Sequence, residues 1–165
     1  MRAARNCNGF TIAEMLVALA ISAILLAAVG VAFNASIVNF RANEDLFKTI
    51  NSARQALYRI TSQLRTGYAV EPTDPNNRCS FLTSDIPPQD ITYEYRIADH
   101  KLYLITNSDG HEYVLCSNVT AASFVKTPTA LGTDCKSVQI SLTVQTGSTV
   151  KTLAAAAVIR RNIDL

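Results

Sequence analysis

The chain has 165 residues, 15 Lys and Arg against 13 Asp and Glu, and a hydrophobic fraction of 48%. That length suits one anchor plus one modest domain, since single cores are typical near about 100–150 residues. The near-neutral balance excludes a protein held to nucleic acid by phosphate neutralisation, which needs a basic face.

The apolar residues are unevenly spread. Residues 15–40 form an uncharged run of 26, long enough to cross a bilayer, for which about 20 apolar residues suffice. Its centre, 15–33, is interrupted only by Ser22 and Gly30. Arg2 and Arg5 precede the run with no acid among them, whereas Arg41, Glu44, Asp45 and Lys48 follow it in balance. By the positive-inside rule the short N-terminus stays cytoplasmic and the large C-terminal part is exported. In a bacterial cell that means the periplasm or beyond, where cysteines can oxidise.

The helix is expected to continue past the membrane. Ile37, Phe40, Phe47, Ile50, Ala53, Leu57, Ile60 and Leu64 recur mostly at spacings of three and four, one stripe of an amphipathic helix. Glu44, Asp45, Lys48, Arg54, Gln55, Arg59 and Gln63 occupy the other faces, no proline precedes Val70, and Gly67 is placed to stop the helix. A helix over 10–66 would be roughly 85 Å long at about 1.5 Å per residue. A compact domain of this size cannot bury such a rod, so other chains are expected to cover part of it.

From Tyr68 the pattern changes. Residues 67–90, with Pro72, Pro75, Pro87 and Pro88, are expected to form a long loop. Period-two segments follow at 91–97 (ITYEYRI), 101–106 (KLYLIT) and 112–116 (EYVLC), joined by turns of which the second ends in Asp109-Gly110. Further strands are expected at 121–126, 138–145 and 149–159, with Gly147 in the tight turn between the last two. Helix first and strands after predicts an α+β fold, in which the C-terminal half of the helix packs on an antiparallel sheet over 91–160. Tyr93, Tyr95, Tyr103 and Tyr113 are expected to form an aromatic ladder within it.

The residue that stands out is Glu14, at the head of the apolar run. A carboxylate carried unpaired to mid-bilayer costs about 2.5–3.5 kcal/mol, and no Lys or Arg lies within two turns on its apolar side. The counter-charge is therefore expected from another chain or from a newly exposed amine.

Gly9-Phe10-Thr11-Ile12-Ala13-Glu14, followed by about twenty apolar residues, resembles the prepilin signal of type IV pilins and type II secretion pseudopilins. The resemblance implies a leader at 1–9, a transmembrane and filament-core helix at 10–33, and a periplasmic pilin-like domain at 34–165 with its amphipathic helix at 34–66. It implies cleavage between Gly9 and Phe10 by a membrane-embedded prepilin peptidase, and methylation of the Phe10 amine. It further implies that Glu14 pairs with the α-amine of a neighbouring subunit, an amine still largely cationic near neutral pH, with a pKa of about 7.7–8.0. Expected partners are therefore the peptidase, other pilin or pseudopilin subunits and an inner-membrane assembly platform. The departure from the family pattern is Asn8, where members usually carry Lys or Arg. The passages 58–67 (YRITSQLRTG) and 157–162 (AVIRRN) resemble minor pseudopilins of the J type and the related W-type minor pilins, which sit at or near the filament tip.

Other chemistry finds little support. Cys7 lies in the leader, leaving Cys79, Cys116 and Cys135 for one disulfide and one spare thiol. All three pairings are open, and Cys116 with Cys135 is attractive because one ends a strand and the other opens one. No C-x-x-C or H-x-x-x-H spacing supports a metal site with His100 or His111. No Gly-x-Ser-x-Gly elbow or phosphate-cradling glycine loop is present, and Asp99, Asp109 and Asp134 read as solvated turn residues. The expectation is a non-enzymatic structural subunit without cofactor, metal or nucleic-acid partner. Its rival is a single-pass anchored periplasmic binding domain that does not polymerise.

Overall fold

The computed structural model describes residues 10–160. Among them a single helix, α1 (Ile12–Thr66), precedes seven strands, giving the expected α+β class. The leader at 1–9, with Arg2, Arg5, Cys7 and Gly9, lies outside the described residues, as do Arg161 and Asn162 of the ending compared above. The chain divides into two compact units, Met1–Arg41 and Ala42–Leu165.

The described part of the first unit is almost entirely α1. Ala and Leu, both strong helix formers, make up much of it alongside Ile and Val, and Gly30 is its only glycine. Ser22, the hydroxyl within the apolar centre, donates to the carbonyl of Ala18 at 2.8 Å, so it presents no unsatisfied donor. Every described side chain of this unit is exposed, including Phe10, Leu16, Leu19, Leu26 and Phe33.

In the second unit α1 acquires a buried stripe of Ala53, Ala56, Leu57, Ile60 and Leu64. Phe47, expected in that stripe, is exposed instead, as are Ile37 and Phe40 of the first unit. At about 100° per residue Phe47 stands roughly 120° around the helix from Ala53, on the same side as the exposed Tyr58. The helix stops where the Gly67 N–H bonds to the Gln63 carbonyl at 2.8 Å. A side chain at Gly67 has no room: an added Cβ would lie 2.7 Å from Phe81 Cδ2 and 3.0 Å from the carbonyls of Gln63 and Leu82.

The segment 67–90 is not all loop. It contains β1 (Arg78–Leu82), paired antiparallel with β2 (Asp90–Arg96) from Arg78↔Glu94 to Leu82↔Asp90. Then come β3 (Lys101–Thr106) and β4 (His111–Cys116), giving an antiparallel sheet of order β1-β2-β3-β4. The remaining strands, β5 (Val119–Pro128), β6 (Cys135–Thr146) and β7 (Thr149–Val158), form a second antiparallel sheet of order β5-β6-β7. One continuous sheet was the expectation; two exist because the chain turns sharply at Asn118, whose φ is 59°. The flanking backbone then bonds away from β4, with Val119 N–H to His100 O and Gln145 N–H to Asn118 O, both 2.9 Å. Gly147, with φ 58°, holds the first place of a two-residue hairpin loop, a position that favours glycine.

Both sheets contribute to one core with the α1 stripe, in which Phe81, Tyr93, Phe124, Ile60 and Leu142 are fully buried or nearly so. Phe81 stacks on Tyr93 with centroids 6.0 Å apart, and the Tyr93 hydroxyl reaches Gln63 of α1. The tyrosines do not form one ladder. Tyr93 and Tyr113 both oppose Leu104, whereas Tyr103 opposes Glu94 and Val114 in the alternate row. On that outer face Arg96 lies 4.6 Å above the Tyr103 ring and bonds Glu94 and Glu112.

Candidate functional site

The head of α1 is built by two residues acting on each other. The Thr11 backbone N–H and hydroxyl each donate to Glu14 Oε2 at 2.9 Å, and the Glu14 N–H donates to Thr11 Oγ1 at 3.2 Å. This reciprocal arrangement is a capping box. It satisfies helix-terminal N–H groups that have no partner within the helix. A carboxylate in the first turn also complements the positive end of the helix dipole.

The consequence for Glu14 is specific. Its expected cationic partner is not supplied within the described residues; both donors it receives come from neutral groups of Thr11. Those bonds converge on Oε2, and no other described residue bonds Oε1. Among the described residues the carboxylate is thus oriented yet not neutralised. Around it lie Ala13, Val17, Ala18 and Ile21, which form a shallow apolar hollow on the helix surface. Phe10 stands just ahead of the cap, outside the helix, with its ring exposed. The Gly9 side of the expected scissile bond lies outside the described residues.

Thr11 is the functional residue that the sequence reading passed over. Its signal was present, because Thr11-Ile12-Ala13-Glu14 follows the S/T-x-x-E pattern ahead of an apolar run.

The cysteines are all in the core. Cys79 sits in β1, Cys116 ends β4 and Cys135 opens β6, each buried. Burial pushes the Cys79 thiol up to about 12 and those of Cys116 and Cys135 up to about 11, so none offers a thiolate at neutral pH. Cys116 opposes Leu102 and borders a hollow with Lys48, Thr49 and Ser52 of α1. The polar residues weighed as ligands have local tasks. Tyr103 donates to Asp99 at 3.0 Å, and Asp109 lies 3.0 Å from the His111 ring. Asp134 is no solvated turn residue, since its Oδ1 accepts the N–H groups of Val70 and Cys135, each at 2.8 Å. Among the described residues no three His, Cys, Asp or Glu side chains converge as a metal site would require.

Residues 4–30 match the family model of the prokaryotic N-terminal methylation motif. The chain carries a type IV pilin signal segment. The match takes in Phe10, Thr11 and Glu14 and most of the apolar run. No curated protein matches the chain, and no solved structure does. The pilin-type segment leads a helix long and apolar enough to cross a membrane, and that helix continues into an α+β unit with antiparallel sheets. A single-pass membrane-anchored chain headed by a methylation motif accounts for both features.

Proposed function

We propose that this chain is a structural subunit, a minor pilin or pseudopilin, of a type IV pilus or type II secretion pseudopilus, and that it takes part in filament initiation and assembly. The observation that carries the reading is the oriented Glu14 carboxylate, without a cation among the described residues, at the head of a helix segment whose apolar side chains are all exposed. Such a surface needs lipid before assembly and equivalent helices afterwards. The carboxylate needs a cation in both settings, because an unpaired charge at membrane depth is costly.

In this reading the prepilin peptidase removes residues 1–9 and the Phe10 amine is methylated. The subunit waits in the inner membrane with its N-terminus cytoplasmic and its C-terminal unit periplasmic. An assembly platform then draws it into the filament, where Glu14 Oε1 meets the Phe10 amine of a neighbour. Such a pair sets axial register as much as it stabilises. The chain is the substrate of the peptidase and performs no catalysis itself. The likeness of 58–67 and 157–162 to J- and W-type subunits favours a place at the filament tip.

Mass spectrometry of the chain purified from membranes tests the processing, with an N-methylated Phe10 as the expected N-terminus. An intact Met1 overturns it and favours an anchored binding domain, and a start near Phe33, the mark of a cleaved secretory signal, overturns it as well. Glu14→Ala tests assembly: membrane insertion and cleavage are retained while incorporation into filaments is lost. Wild-type levels of Glu14→Ala subunits in purified filaments would refute the pairing role.

A further inference from the structure

We propose that Cys79 and Cys135 are joined by a disulfide bond in the mature protein, with Cys116 left as a buried thiol. The proposal rests on the C-terminal unit being exported, as argued above, because a stable disulfide needs an oxidising compartment.

The placement of the two residues comes from hydrogen bonds rather than from the strand order. Along β1 the burial alternates, so Cys79 and Phe81 point into the core. The backbone at 68–71 runs beside β1. Tyr68 and Leu82 exchange N–H bonds at 3.0 and 2.9 Å, and Glu71 N–H bonds Ser80 O at 3.0 Å. The same stretch is pinned to the start of β6, because Asp134 Oδ1 takes the N–H of Val70 and that of Cys135 together. Segment 68–71 is therefore a shared neighbour of Cys79 and Cys135.

A second tie closes the arrangement from the other side. Asp74 accepts the Ser80 N–H at 2.7 Å, while the carbonyls of Asp74 and Pro75 accept the Lys126 ammonium at 2.9 and 3.2 Å. Lys126 belongs to β5, and β5 ends at Pro128, which opposes Cys135. The electrostatics agree with this placement. Lys126 and Asp74 act on both thiols and Cys135 acts on Cys79, whereas burial alone acts on Cys116.

The chemistry is ordinary thiol–disulfide exchange. One cysteine attacks the disulfide of an envelope thiol oxidase, forming a mixed disulfide and releasing one thiol of the oxidase. The second cysteine then displaces the other. Two thiols of the chain lose two protons and two electrons in forming the S–S bond, and the disulfide of the oxidase is reduced to a dithiol. Both cysteines are fully buried once folded, so the exchange belongs to the newly exported chain, before the core closes. The finished bond is then shielded from reductants. It would fasten β1 and the irregular 68–77 stretch to the second sheet, across the boundary that no strand pairing spans.

The test uses the full-length protein extracted from membranes under acid, then unfolded in urea and blocked with N-ethylmaleimide at neutral pH so that buried thiols react, and mapped by mass spectrometry without reduction. The expected result is a Cys79–Cys135 linked peptide with the alkyl group on Cys116. A Cys116–Cys135 or Cys79–Cys116 link overturns the proposal. If all three cysteines are alkylated, a fresh sample of the chain that has not been treated with N-ethylmaleimide is unfolded in urea and refolded in a glutathione/glutathione disulfide mixture. Formation of the Cys79–Cys135 bond there upholds the pairing and refutes the export reading instead, while its absence there overturns the pairing. Cys116→Ser should leave the linked peptide unchanged, and reduction should lower the melting temperature of the wild type but not of Cys79→Ser.

Discussion

Replacing Gly67 by Ala probes the handover from α1 to the sheets. The new Cβ would meet Phe81 Cδ2 at 2.7 Å and two carbonyl oxygens at 3.0 Å. Carbon–carbon contacts are comfortable at about 3.5–4.0 Å, so the intrusion on Phe81 is close to an ångström. Phe81 has little freedom to yield, since it is 2% exposed and stacked on the fully buried Tyr93. The carbonyls belong to the helix end and to β1, whose own bonds hold them. Overpacking of this kind costs about 1–3 kcal/mol. For a unit of this size about 2 kcal/mol lowers the melting temperature by roughly 8 °C. The assay is thermal unfolding of the full chain in detergent, followed by near-ultraviolet circular dichroism of the tyrosines. Gly30→Ala is the control, because nothing lies within 4 Å of its added Cβ and Ala suits a helix interior better. Phe81→Leu should recover part of the loss when combined with Gly67→Ala, a non-additivity that a double-mutant cycle reads directly. A Gly67→Ala protein melting within about 2 °C of wild type, or strict additivity with Phe81→Leu, would refute the steric account.

Three further outcomes are expected. Thr11→Val removes the hydroxyl that both donates to Glu14 and accepts its N–H; at about 1 kcal/mol for a lost cap, filament incorporation should fall while cleavage continues, and Thr11→Ser should restore it. Ile60→Ala should cost about 2–5 kcal/mol of unfolding free energy in urea, whereas Tyr58→Ala, two positions away but 77% exposed, should cost less than about 0.5 kcal/mol. The Arg96 guanidinium grips Glu112 through both oxygens and holds its carboxyl below the usual range. A depressed folded pKa contributes stability that is present above the unfolded value of about 4.3 and lost as pH falls through the folded value. Glu112→Gln should therefore flatten the acid side of the stability–pH curve below about pH 4.3 without steepening it elsewhere.

What could be read locally was read from the residues. The uncharged run, the acid at its head, the stop at Gly67 and the hairpins around Gly110 and Gly147 depend on composition and spacing within a few positions, and the signal segment is of the same kind. Even Thr11 was within reach, since its partner is three residues away. The stripe of α1 was legible from Ala53 onward and misjudged at Phe47, although the spacing from Ala53 already sets it about 120° around the helix.

The rest was decided by residues far apart in the chain. RCSFL is five residues among prolines and asparagines, with nothing local to mark it as a strand; it becomes β1 because β2, a dozen residues on, supplies its hydrogen-bond partners. The break between the sheets depends on one left-handed residue, Asn118, whose neighbours bond back to His100 and forward to Gln145. Asp134 clamps Val70 across 64 positions, and the companions of each cysteine follow from that closure. The intolerance of Gly67 comes from Phe81, which only tertiary packing brings beside it. Periodicity and caps are short-range and survive in an extended chain. Contacts across sheets exist only once backbone groups that must be satisfied on burial have found partners, and that choice is made by the whole fold.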